Sequence, residues 1–110
     1  MSKVESMGDN KEFTSTAIED ITIYFVHTNT SADDTATEKY FNISSATKYL
    51  NIRNDQTIQI VSMNDITFTD PITVVINKGH TEKLDVPNLW RMVIRTTTAG
   101  TNIKIRFRGR

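Results

Sequence analysis

The stretch Leu89-Trp90-Arg91-Met92-Val93-Ile94-Arg95-Thr96-Thr97-Thr98-Ala99-Gly100-Thr101-Asn102-Ile103-Lys104-Ile105-Arg106-Phe107-Arg108-Gly109-Arg110 decides the fold class. Trp90, Met92 and Ile94 alternate with Arg91 and Arg95, and Ile103, Ile105 and Phe107 alternate with Lys104, Arg106 and Arg108. A period of two is the signature of a strand with one buried face. With Ala99-Gly100 as a two-residue loop, glycine supplying the positive φ, the expected register sets Ile94 against Ile105 and Met92 against Phe107. Arg95 then meets Lys104 and Arg91 meets Arg108. This hairpin is expected to be apolar on one side and basic on the other. Like charges directly opposite each other cost stability, so the pattern suggests an anionic surface lying against Arg91, Arg95, Lys104, Arg106 and Arg108.

The rest of the chain is consistent with a single small β-domain. Its 110 residues can bury one core. Thr, Ile, Val and Asn are prominent and glycines number only 4, a bias that favours strands over helices. Formal net charge is zero, yet every charged residue after Asp85 is basic and the acids concentrate in the first half. Cysteine is absent, which excludes a disulfide scaffold and thiolate metal sites. No apolar run has the length of a signal peptide core or a membrane span, so the expected compartment is the cytoplasm.

Working towards the N-terminus, turn residues recur about every eight to twelve positions. Asn77 to His80 reads as a turn, and Glu82 to Val86 as a short strand. Ile66 to Phe68 and Ile72 to Ile76 read as extended segments interrupted at Asp70-Pro71, where proline demands an edge or a bulge. Strands are expected at Thr57 to Met63, Lys48 to Arg53, Thr37 to Ile43 and Ile18 to His27, with a helix over Ser44 to Leu50 competing with the strand there. Thr28 to Ala36 is a polar loop whose Asp33 and Asp34 can present charge to a basic neighbour. Residues 1 to 17 read as a flexible arm, with Phe13 its candidate anchor on another subunit, and residues 18 to 110 as the folded domain. About eight short strands with no βαβ alternation predict an all-β, antiparallel β-sandwich of jelly-roll type. Trp90 is expected against its core.

No motif carries chemistry. Nucleophile elbow, phosphate loop, dinucleotide fingerprint and paired zinc histidines are all missing, and Asp33, Asp34 and Glu38 lack the spacing of a calcium loop. The expectation is a non-enzyme without catalytic, metal or cofactor sites. A nucleic-acid-binding module remains open through the basic stripe, although Trp90 and Phe107 are expected to point away from it. A carbohydrate-binding or adhesin-like sandwich remains open through Tyr24, Tyr40 and Tyr49.

The polar start, the Thr/Asn/Ile-rich β-domain, the segment Ile66-Thr67-Phe68-Thr69-Asp70-Pro71-Ile72-Thr73-Val74 and the run Ile94 to Ile105 resemble small virion structural proteins of tailed bacteriophages. The similarity covers residues 18 to 110 and lies in style. It implies a capsid decoration or auxiliary protein, or a tail or fibre component, working in the virion after assembly in the host cytoplasm. The implied partners are shell or tail subunits and further copies of the chain. It carries over no site residue. The charge pattern adds one expectation: the acidic loop of one subunit meets the basic hairpin of the next.

Overall fold

Alternating β-branched and polar residues produce strands throughout the computed structural model, which describes residues 11–26, 34–43, 49–76, 80–83 and 89–108. These strands are β1 (Lys11–Thr14), β2 (Asp20–Val26), β3 (Glu38–Asn42), β4 (Tyr49–Asn54), β5 (Ile58–Met63), β6 (Ile66–Val74), β7 (His80–Lys83), β8 (Arg91–Thr96) and β9 (Asn102–Arg108). None of the described residues is helical, so among them no helix is long and apolar enough to cross a membrane. One sheet has the order β1-β9-β4-β7 and the other β3-β2-β8-β5-β6. The β-sandwich expected from the alternation is therefore present. All described pairings are antiparallel except β2 with β3. A parallel neighbour needs a long connection rather than a tight turn, and the polar loop after β2 supplies it.

The predicted terminal hairpin is not formed. β8 lies between β2 and β5 in the five-stranded sheet, with Ile94 opposite Ile21 and Ile60. β9 lies between β1 and β4 in the other sheet, with Ile105 opposite Ile52 and Lys11. The turn between them is an arch that crosses from sheet to sheet. Gly100 adopts φ 79° there, as expected of the glycine. Its amide and that of Thr101 are taken by Ser15, through the carbonyl at 3.1 Å and the hydroxyl at 3.0 Å. The physical reason is burial. A hairpin with Ile94 and Ile105 on one face needs a further layer to cover them, whereas strands in opposed sheets cover each other.

The faces themselves agree with the alternation. Met92, Ile94, Ile103 and Ile105 are all fully buried, alongside Ile21, Ile23, Leu50, Ile52, Ile58 and Ile60. Trp90 departs from the pattern at 42% exposure, because Leu89 occupies the core at that end. The proline expectation holds in both senses. β6 is an edge strand, and its register jumps from Ile60↔Ile72 to Ser62↔Thr67, so Pro71 falls in a bulge where no ladder donor is required.

The boundary of the expected arm also moves. Lys11–Thr14 pairs with β9, and Phe13 is buried against the core, so residues 11 to 17 belong to the domain. Residues 1–10 of that arm lie outside the described residues, as do most of the competing helix and His27.

At one side of the sandwich the edge strands β1 and β3 are tied together. Lys11 Nζ donates to Asp34 Oδ2 at 2.6 Å and to the Tyr40 carbonyl at 2.9 Å, lying over the Phe41 ring. Lys39 lies reciprocally over the Phe13 ring. On the other side, buried Asn54 in β4 donates to the Val74 carbonyl of β6 at 3.0 Å.

Candidate interaction surfaces

Separating β8 from β9 divides the predicted basic stripe between the two outer faces of the sandwich. Arg91 and Arg95 belong to the five-stranded face, where each meets an acid. Asp20 stands opposite Arg95 across the β2–β8 ladder and takes hydrogen bonds from Nε at 2.8 Å and from Nη2 at 3.2 Å. That hydrogen bond, with the charge of the same carboxylate, raises the Arg95 pKa. Arg91 pairs with Asp65, held near it by the Asn64-Asp65 turn, and its guanidinium lies 5.0 Å from the centre of the Trp90 ring. Asn64 has φ 53°, a conformation that asparagine tolerates, and its side-chain oxygen accepts from the Trp90 amide at 2.9 Å.

The same face carries aromatic rings. Tyr24 and Tyr40, opposite each other on β2 and β3, stack with centroids 5.0 Å apart and planes 14° apart. Arg91 is the neighbour of Tyr24 on β8. Desolvation, followed by the nearby Glu38, Tyr24 and Asp34, raises the Tyr40 pKa. Of the tyrosines singled out by sequence, Tyr24 and Tyr40 are thus brought together, and Tyr49 lies on a strand of the other sheet.

The four-stranded face retains Lys104 and Arg106 and gains Arg53, which the sequence reading placed in a strand without assigning it a role. Arg53 stands opposite Lys104 on the β4–β9 ladder, and Glu12 stands opposite Lys104 on the β1 side. The Lys104 ammonium is 4.0 Å from Glu12, with both groups about half exposed. Among the described residues Arg53 and Arg106 have no ion pair. Two shallow depressions open on this face. One of about 260 Å³ is lined by Glu12, Arg53, Asn54, Asp55, Asn102 and Lys104. The other, of about 240 Å³, is lined by Lys11, Glu12, Lys104 and Arg106. For Arg108 the backbone pairing with Tyr49 is described.

Two of the remaining predicted contacts, Phe13 and Asp34, are internal. Phe13 fills the core of its own chain rather than reaching for a neighbour. Asp34 is engaged by Lys11 and accepts from the Tyr40 amide at 2.8 Å. Its partial burial alone raises its pKa, but the hydrogen bonds from Lys11 and Tyr40 and the charges of Lys11 and Lys39 outweigh this, so the net shift is downward. Asp33 lies outside the described residues. The expected match between the acidic loop and the basic strands of another subunit therefore loses Asp34, whose charge is already used within the chain.

One surface escaped the sequence reading. β6 forms the free edge of the five-stranded sheet, and Ile66 on it is 69% exposed. Val75 and Ile76 follow it, exposed by 51% and 40%. The signal was available in Pro71, since a proline within a strand points to an edge. Among the described residues no group of three or more His, Asp or Glu side chains is placed to hold a metal ion. Comparison with known proteins finds no matching family model, no matching curated protein and no matching solved structure.

Proposed function

We propose that this chain is a non-enzymatic virion structural protein, a capsid decoration or auxiliary subunit that assembles with copies of itself through the β6 edge. The observation that supports this reading is the edge strand itself. An edge presents unpaired backbone donors and acceptors to any incoming strand, and soluble monomers blunt it with charge, cover or distortion. Here a nine-residue edge strand carries one charged side chain, Asp70, and exposes Ile66, with Val75 and Ile76 beyond its end. Asp70, Pro71 and the bulge blunt the middle of β6 in that way, and the segments to either side stay uncovered, apolar at Ile66 and at Val75-Ile76. Contact is then centred on the segments to either side. A second copy supplies the same edge in a self-complementary arrangement.

Light scattering behind size exclusion tests this. A discrete oligomer is expected, and Ile66→Asp is expected to weaken it by at least about tenfold, because burying one such side chain is worth about 1.5–3 kcal/mol. Ile66 is largely exposed in the single chain, so the variant folds. An apolar contact also persists at high salt, unlike a charged one. A monomer at all concentrations, or an oligomer indifferent to Ile66→Asp, overturns the proposal.

A further inference from the structure

The two outer faces of the sandwich treat their cations differently. On the five-stranded face Arg95 has a carboxylate as its cross-strand neighbour, and Arg91 has one from the adjacent turn. On the four-stranded face the cross-strand neighbour of Lys104 on β4 is another cation, Arg53, and Arg106 follows on the same side of β9. Opposed like charges destabilise a sheet. The acids on this face do not offset them fully. Glu12 reaches only Lys104, at 4.0 Å, and Asp55 directs Oδ1 at the Asn102 amide, 2.8 Å away.

We propose that this face binds the phosphodiester backbone of a nucleic acid through Arg53, Lys104 and Arg106. Lys104 and Arg106 are two residues apart on an extended strand, roughly 6.8 Å between Cα atoms, close to the separation of successive phosphates on an extended nucleic-acid chain. The depression lined by Lys11, Lys104 and Arg106, with Glu12 as its one acid, is the cationic seat for a phosphate, whereas the one beside Arg53 also carries Glu12 and Asp55 and lets a phosphate meet Arg53 only at its rim. Neighbouring polar side chains, Thr14 and Asn102, are of the kind that hydrogen-bond phosphate and sugar oxygens. Among the described residues no aromatic side chain lines either depression, so the contact proposed is with the backbone and independent of base sequence. A repeating anion at fixed spacing fits this strand-borne array better than the irregular carboxylates of a protein surface. The proposal is independent of β6, which lies in the other sheet.

The test is fluorescence anisotropy of a labelled, mixed-sequence DNA single strand with the full chain across a salt series. With three phosphate contacts, affinity falls roughly 20-fold between about 50 and 200 mM salt. Arg53→Gln, Lys104→Gln and Arg106→Gln each flatten the slope of log affinity against log salt by about 0.7. Arg95→Gln, on the opposite face, leaves the slope unchanged. Absence of binding at low salt overturns the proposal, as does an equal loss in Arg95→Gln. Equally tight binding of polyglutamate, with the same dependence on Arg53 and Arg106, overturns the assignment to phosphodiesters in favour of an acidic protein.

Discussion

Asn54 shows how much a single polar side chain contributes when it is enclosed. It is 5% exposed, and its amide nitrogen donates to the carbonyls of Gln56 at 2.6 Å and Val74 at 3.0 Å. The second of these bonds crosses from one sheet to the other, so it fixes the distance between β4 and β6 as well as satisfying a buried acceptor. Asn54→Asp replaces the donor with a carboxylate facing two carbonyl oxygens. That change is expected to cost about 2–4 kcal/mol, read from urea unfolding, since an unpaired buried charge is added to the lost hydrogen bonds. Trp90 illustrates the opposite case. Alternation with Met92 and Ile94 assigns it to the core, but alternation holds only inside a strand, and Trp90 precedes β8. Leu89 fills the available space, and the indole is covered on one side by Arg91.

At the level of elements, β1 depends on the opposite sheet through its ties to the β3 region. Lys11 of β1 is held by Asp34, whose pKa in the folded protein lies below its ordinary value of 3.8. A carboxylate with a depressed folded pKa contributes stability above its unfolded pKa and loses it as pH falls through the folded value. The docking of β1 is therefore expected to loosen below about pH 3.8. Amide hydrogen exchange at Phe13, corrected for the intrinsic rate, is expected to accelerate there relative to the centre of β9. Asp34→Asn is expected to show the faster exchange at neutral pH and to lack the acid-dependent step. The residues of β1 also explain why the segment reads as an arm in the sequence. Lys11, Glu12 and Thr14 carry no apolar pattern, and only Phe13 reaches the core. The segment is ordered by pairing with β9, a partner far away in the chain (Phe13 stands opposite Ile103) that local sequence does not reveal.

For the molecule as a whole, one core is shared by both sheets. Ile21, Ile23, Ile58, Ile60, Met92 and Ile94 come from the five-stranded sheet, and Leu50, Ile52, Ile103 and Ile105 come from the other. Neither sheet keeps a buried apolar face without its partner, so the domain is expected to unfold in a single transition. Urea titrations followed by far-ultraviolet circular dichroism and by Trp90 fluorescence are expected to coincide. Separate midpoints would show that the sheets come apart independently. The arch at Gly100 couples them, because it carries the chain from β8 in one sheet to β9 in the other.

The inward sides of β2, β5, β8 and β9 were legible in the residues, because a period of two is a local property that follows from the pleat. Met92, Ile94, Ile103 and Ile105 had to turn inward whichever strands flanked them. The edge position of β6 was legible for a similar reason, since proline cannot donate to a ladder. The choice of neighbours was not legible. Backbone hydrogen bonds are alike for every strand, and the apolar face of β8 satisfies the same alternation beside β2 and β5 as it would beside β9. Closing two sheets over one core selected between those arrangements. That selection divided the cations of β8 and β9 between opposite faces, paired Arg95 with Asp20, and brought Arg53 to Lys104.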